Sequence, residues 1–293
     1  MELHLQRTIW SDYFNLTKPR TIALHLVTAT VAMFLAVNKT PTATVLIAVL
    51  TGGALTAGGS NTLNCFLDRN IDAVMPRTKN RPIPAGRVKP FESLLFGLAI
   101  CLIGLLVLMH FTGFIVALLA ACAIIYYDLI YTLWLKRRTS WSAVIGSGAG
   151  AFPVLIGWYS VAHKFSAAPL LLFGIIALWS PPHFWSLALY RRKEYARASL
   201  IVSPAANASR WVWVFTLLTV VVSLIFVPVS HSGALYGYAA VALGAGFLLL
   251  AFVQVVSEES KVAQYLYVYS IIYLAMLFAA MLADHLVFVN GGI

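Results

Sequence analysis

The chain has 293 residues, of which 61% are hydrophobic and only 10% charged, with a mean hydropathy of +0.86. A soluble domain carries about 25% charged residues, so this composition excludes an ordinary soluble enzyme and indicates an all-α polytopic membrane protein. The net charge of +10 does not point to nucleic acid, because the basic residues lie on no soluble module and cytoplasmic loops of membrane proteins collect Lys and Arg.

Cys65, Cys101 and Cys122 are odd in number, lie in or beside apolar runs and form no Cys-x-x-Cys pair. They predict packing residues rather than a disulfide or a thiolate metal site. The first residues lack the apolar core of a secretory signal. Ile9, Trp10, Tyr13, Phe14 and Leu16 instead suggest an interfacial amphipathic turn within a polar lead over residues 1–19.

Apolar runs of spanning length, about 20 residues each, recur nine times: 20–38, 43–66, 91–109, 113–134, 141–161, 168–189, 211–229, 233–255 and 265–289. They predict nine transmembrane helices in one domain over residues 1–293, with long loops only at 67–90 and 190–210. With the N-terminus inside, 18 of the 20 Lys and Arg fall on the inner side, and only Lys39 and Lys164 fall outside. That asymmetry predicts a cytoplasmic N-terminus, cytoplasmic 67–90 and 190–210 loops and an outer C-terminus in a bacterial-type inner membrane. Gly52, Gly53, Gly58 and Gly59 on the second run, and Gly146, Gly148 and Gly150 on the fifth, allow close helix approach. Pro153, Pro181 and Pro182 can kink their helices.

The segment after the second run carries the chemistry. Asn64, Asp68 and Asp72 recur at steps of four, which on a helix places one amide and two carboxylates on one face. Such oxygens suit a hard cation such as Mg²⁺. Arg77, Lys79 and Arg81 follow at steps of two and suit phosphate, so the stretch reads as a metal-assisted diphosphate site. Asp128 is an acid within the fourth run, eight residues before Lys136, positioned either to pair with a cation or to line a cavity. A cation transporter built on the same carboxylates is an alternative, but transporters place their acids at the midplane on broken helices.

The string Asn64-Cys-Phe-Leu-Asp68-Arg-Asn-Ile-Asp72, continuing through Arg77-Thr-Lys-Asn-Arg81-Pro to Arg87, resembles the first signature of the UbiA-type intramembrane prenyltransferases. Leu16-Thr17-Lys18-Pro19-Arg20, the 131–139 stretch YTLWLKRRT, the 150–158 stretch GAFPVLIGW and the 181–191 stretch PPHFWSLALYR are similar to the haem-modifying branch of that family. The resemblance covers most of residues 15–200. It implies a nine-helix bundle around a central cavity, with Asn64, Asp68 and Asp72 as Mg²⁺ ligands and catalytic residues, joined by Lys136. Lys136 and Arg137 would join Arg77, Lys79 and Arg81 in holding diphosphate.

Many family members carry a second Asp-rich motif near residue 190. Here only Glu194 is acidic, a candidate further metal ligand, and Arg191, Arg192 and Lys193 precede it. A basic loop suits the propionates of haem. The resemblance therefore implies farnesyl transfer from farnesyl diphosphate to a vinyl group of haem B, giving haem O. Candidate haem contacts are His183, Arg191, Arg192, Tyr195, Tyr131 and His25. A downstream haem A synthase or oxidase assembly factors are the implied protein partners. A quinone precursor as acceptor is the alternative. The 199–204 stretch SLIVSP departs from the Gly-Ile-Pro-Met-Leu-Pro usual in that branch.

Overall fold

A computed structural model describes residues 8–37, 39–136, 138–193 and 207–290. The chain is all-helical among them. Two short helices flank the cytoplasmic-side chemistry predicted above: α1 (Ile9–Leu16) and α4 (Arg69–Val74). The long helices are α2 (Pro19–Leu35), α3 (Ala43–Leu67), α5 (Pro90–Thr112), α6 (Phe114–Ile125), α7 (Ser142–Ala162), α8 (Ala167–Tyr190), α9 (Ala208–Val229), α10 (Ala234–Ser257) and α11 (Ser260–Asn290). α6 continues as a π-helical segment, Tyr126–Leu135, so the two together form one span.

Among the described residues, eight helices are long and apolar enough to cross a membrane. The sequence had predicted nine runs. The run at 20–38 forms a shorter helix of 17 residues, Pro19–Leu35; the Ala36 amide makes the last four-back bond, to Ala32, and the Val37 amide turns to the Phe34 carbonyl. At 1.5 Å per residue that helix is about 26 Å long, close to the thickness of the hydrocarbon core.

Many large apolar side chains face outward, among them Leu102, Leu106, Leu133, Leu249 and Phe252. Lipid solvates them, so their exposure carries no penalty and the helices gain nothing by hydrophobic burial against each other. Association rests instead on close packing. α3 and α5 meet along a seam of Gly52, Gly59, Gly97 and Gly104. A Cβ on Gly104 would lie 2.8 Å from the Gly52 carbonyl oxygen and from the Thr56 amide nitrogen, which are backbone atoms that cannot rotate aside. We therefore expect Gly104→Val to separate the helices and destabilise the protein by about 1–3 kcal/mol. Thermal unfolding of the detergent-solubilised variant measures this, and an unchanged midpoint would refute the packing account.

The same seam positions the site, because it fixes the end of α3 that leads into Asn64 and Asp68. The N-terminal segment is sewn to that end. Asn61 Nδ2 donates to the Thr17 carbonyl at 2.9 Å, and Cys65 Sγ lies 3.8 Å from the Leu16 carbonyl. Arg87 Nε donates to both oxygens of the buried Asp12, at 3.1 and 3.0 Å, which ties α1 to the loop after α4. Where the sequence suggested an amphipathic turn, α1 is a two-turn helix that buries Asp12 and Leu16 and exposes Ile9, Trp10 and Phe14.

Candidate active site

The predicted single helix through Asn64, Asp68 and Asp72 is interrupted. α3 ends at Leu67, Asp68 sits at φ −87°, ψ 0°, and α4 begins at Arg69. The helical bonds nevertheless bridge the joint: the Asp68 amide donates to the Asn64 carbonyl at 2.9 Å and the Asp72 amide to the Asp68 carbonyl at 2.8 Å. The steps of four therefore survive, and all three side chains line one cavity of about 240 Å³. Each residue is buried, at 2–4% exposure, which is unusual for carboxylates without partners.

Each has a cationic partner. Asp68 Oδ2 accepts from Lys136 Nζ at 2.5 Å and from Asn64 Nδ2 at 3.0 Å. Asp72 Oδ2 accepts from Arg81 Nη1 at 2.6 Å. Asn64 Oδ1 accepts from Lys18 Nζ at 2.6 Å, while its Nδ2 also donates to Thr132 Oγ1 at 3.0 Å. Asn64 is thus the pivot of the cavity wall, reading a cation on one side and a carboxylate on the other.

Electrostatics separate the lysines. Burial draws the Lys18 ammonium below the usual lysine range, and nearby Arg81 and Lys136 add to that. Burial also opposes the charge on Lys136, but Asp68 and then Tyr131 outweigh it and its pKa rises. Arg81 is raised likewise, with Asp72 overcoming the penalty of burial.

Lys18 was quoted in the sequence motif but not picked as a site residue. It lies 46 positions from Asn64, and nothing in the local pattern links the two. The signal available was its place before Pro19. A residue before proline is steered away from right-handed helix toward extended backbone; Lys18 instead adopts φ 54°, ψ 63°, a left-handed conformation that a lysine holds at a cost of about 1–3 kcal/mol. That backbone aims the side chain at Asn64.

The fourth span holds a second surprise. A regular helix was expected over 113–134, but its last turns are π-helical, with the Lys136 amide donating to the Tyr131 carbonyl at 2.8 Å. Such π segments recur at functional sites because they redirect side chains. Here the segment supplies Tyr127 and Tyr131 to the cavity wall, stacked at 5.8 Å, and delivers Lys136 to Asp68.

The remaining predicted residues divide. Arg77, Arg81 and Tyr131 line the cavity, but Lys79 does not. A turn in which the Thr78 and Lys79 amides donate to the Met75 carbonyl buries Thr78 and leaves Lys79 exposed, so spacing by two put only alternate cations on the site. His25 sits half-buried on α2 and is absent from the cavity wall. His183 is also absent from it; its ring stacks on Trp179 at 4.5 Å and tilts against Tyr267 at 4.8 Å, and its Nδ1 is 2.8 Å from Ser270 Oγ. Its neighbour Phe184 reaches the cavity instead. Arg191 lies over the Tyr190 ring at 5.7 Å and Arg192 is exposed. Arg137, Glu194, Tyr195 and the 199–204 stretch lie outside the described residues.

Among the described residues no cluster of three or more Asp, Glu, His or Cys side chains is assembled. The oxygen set on the cavity is instead two carboxylates and an amide. Asp68 Oδ1 is buried with no hydrogen-bond partner. An unsatisfied carboxylate oxygen in a low-dielectric wall is costly unless a cation meets it, and a hard divalent ion with one or two carboxylates and diphosphate oxygens matches this donor set. The residues therefore fit such an ion.

A family model described as the UbiA prenyltransferase family matches residues 25–285. The chain belongs to the UbiA prenyltransferase family, as the resemblance of its Asn64–Arg87 string implied. Among curated relatives, Protoheme IX farnesyltransferase 1 of Pseudomonas putida (strain W619) is 42% identical over 292 residues, 98% of both chains. Protoheme IX farnesyltransferase of Trichodesmium erythraeum (strain IMS101) is 40% identical over 97% of this chain and 88% of that one. In three dimensions the chain is similar to a digeranylgeranylglyceryl phosphate synthase, with TM-score 0.80 at 14% identity over 94% of this chain and 98% of the other. A UbiA homologue from Archaeoglobus fulgidus bound to DMAPP and Mg²⁺ gives 0.65 at 15% identity, over 92% and 99%. At those identities the likeness establishes the shared fold.

Proposed function

We propose that the chain transfers a farnesyl group from farnesyl diphosphate to a vinyl group of haem B, giving haem O, in a divalent-metal-dependent reaction. The observation that carries the diphosphate half is the convergence of Asn64, Asp68 and Asp72 with Lys18, Arg81 and Lys136 on one buried cavity. The haem half is supported by relatives that match almost end to end and carry the protoheme IX farnesyltransferase name.

In this reading Asp68 and Asp72, with Asn64, would hold Mg²⁺, which would supply neutralising charge to the leaving diphosphate. Lys136, Arg81, Arg77 and Lys18 supply the remaining positive charge around the diphosphate oxygens, stabilising what develops as the allylic C–O bond breaks. Tyr127 and Tyr131 present ring faces to the cationic carbon that results. Ile71, Met75, Ala143 and Phe184 give the cavity its apolar lining, and the cation must be kept from water until the acceptor attacks. The carry-over of Lys79, Arg137 and Glu194 to diphosphate or metal belongs to the same reading, as does that of His183, His25, Arg191, Arg192 and Tyr195 to haem. The packing of His183 against Trp179 and Tyr267 supports a wall rather than a free ligand.

The single domain crosses the membrane nine times, with Pro19–Leu35 as the first crossing. The basic residues favour an inner N-terminus, inner 67–90 and 190–210 loops and an outer C-terminus. Downstream haem-processing or oxidase assembly proteins would take the product.

Incubation of the purified protein with haem B and farnesyl diphosphate tests the reading. Haem O should form, identified by mass, and stop when the divalent ion is chelated. Turnover only with a phenolic acceptor would transfer the assignment to quinone precursors.

A further inference from the structure

Three side-chain contacts join α3 and the Asp68 that follows it to the π-helical segment and Lys136, and they share one offset. Ser60 Oγ donates to Asp128 Oδ2 at 2.7 Å, Asn64 Nδ2 to Thr132 Oγ1 at 3.0 Å, and Lys136 Nζ to Asp68 Oδ2 at 2.5 Å; in each, the partners are 68 positions apart. Both sides advance by four, so the two elements run parallel and the contacts form a ladder. Asn64, Asp68 and Lys136 of the last two rungs line the cavity. The first rung does not: neither Ser60 nor Asp128 lines it, and both are buried, at 7% and 3% exposure.

A buried acid within a span is rare and costly, and the reaction above gives Asp128 no task. The ladder does. A π segment is held by bonds five residues back, and relaxing it to ordinary helical bonding would rotate every later side chain by one position relative to α3. Lys136, which directly follows the segment, would be displaced by such a slip. The Ser60–Asp128 rung pins the segment near its start, where Asp128 is the third of ten π-helical residues. A carboxylate makes the stronger, charge-assisted form of this hydrogen bond.

We propose that Asp128 is a positioning residue, which through Ser60 fixes the register of the π-helical segment so that Lys136 reaches Asp68 and the diphosphate. The inference rests on the diphosphate reading of the cavity. The two separate experimentally, since binding of inorganic pyrophosphate with Mg²⁺ to the unaltered full-length protein tests the reading itself.

Calorimetric pyrophosphate titrations of variants in detergent then test the inference. Asp128→Ala and Ser60→Ala should each weaken pyrophosphate binding, on the order of tenfold for the former, and the double variant should be no weaker than Asp128→Ala alone. Asp128→Asn keeps an acceptor for Ser60 and should bind within about threefold of the unaltered protein, a neutral bond having roughly half the strength. In a Lys136→Met background, Asp128→Ala should add no further loss. The proposal is overturned if Asp128→Ala lowers thermal stability with pyrophosphate affinity intact. It is equally overturned if Asp128→Asn is as damaging as Asp128→Ala, which would mean that the charge itself is needed, or if the losses from Asp128 and Lys136 simply add. Ser60→Ala carries the test alone if Asp128→Ala fails to fold.

Discussion

Asp68→Ala is expected to lower haem O formation by on the order of 10³-fold or more, the scale seen when a group that meets developing charge is removed. Two effects combine. The variant loses the carboxylate whose Oδ1 is buried without a partner and whose Oδ2 meets Lys136 and Asn64. It also leaves the Lys136 ammonium, 23% exposed at its side chain, without its counter-charge. Breaking a buried pair by deleting one partner typically costs about 3–5 kcal/mol, so some loss of stability should accompany the loss of turnover. Single-turnover formation of haem O, followed by mass, separates the two when compared with the thermal midpoint of the same preparation. A variant that folds and keeps more than a tenth of normal turnover would remove Asp68 from the metal-binding role.

Lys136→Met should be nearly as severe, by about 10²–10³-fold in kcat/KM for farnesyl diphosphate, but through a different route. Methionine preserves the unbranched chain while removing the charge, so Asp68 keeps only its hydrogen bond from Asn64. If Lys136 contacts the diphosphate as well as Asp68, the KM for farnesyl diphosphate must rise and the binding of inorganic pyrophosphate must weaken in parallel, while the KM for haem B stays put. Lys136→Arg should recover part of the loss, because a guanidinium keeps the charge but not the compact ammonium geometry. A fall in kcat with an unaltered KM for farnesyl diphosphate would confine Lys136 to a structural pairing with Asp68.

Both variants act on one physical arrangement, cations placed against buried carboxylates in one cavity wall. Charges interact far more strongly there than in solvent. The same pairing holds the acids in place before any ligand is considered, which is why Asn64, Asp68 and Asp72 tolerate burial at all. The chain shares its fold with solved structures at 14–16% identity, while near full-length identities of 40–42% make it similar to protoheme IX farnesyltransferases. Fold and acceptor thus rest on separate comparisons.

What the sequence determined by itself is what depends on local period and composition. Apolar runs of a bilayer's thickness made the helices, and the four-residue spacing put Asn64, Asp68 and Asp72 on one face even though the helix breaks at Asp68. Steps of two were a poorer guide at Arg77, Lys79 and Arg81, because that stretch is turned rather than extended and Lys79 faces away. Tertiary structure alone decided which distant residues complete the site. Lys18 meets Asn64 across 46 positions, and Ser60, Asn64 and Asp68 meet Asp128, Thr132 and Lys136 across 68. Periodicity describes one helix at a time, whereas those contacts depend on how closely glycine seams let helices approach and on a π-helical register set by packing between them.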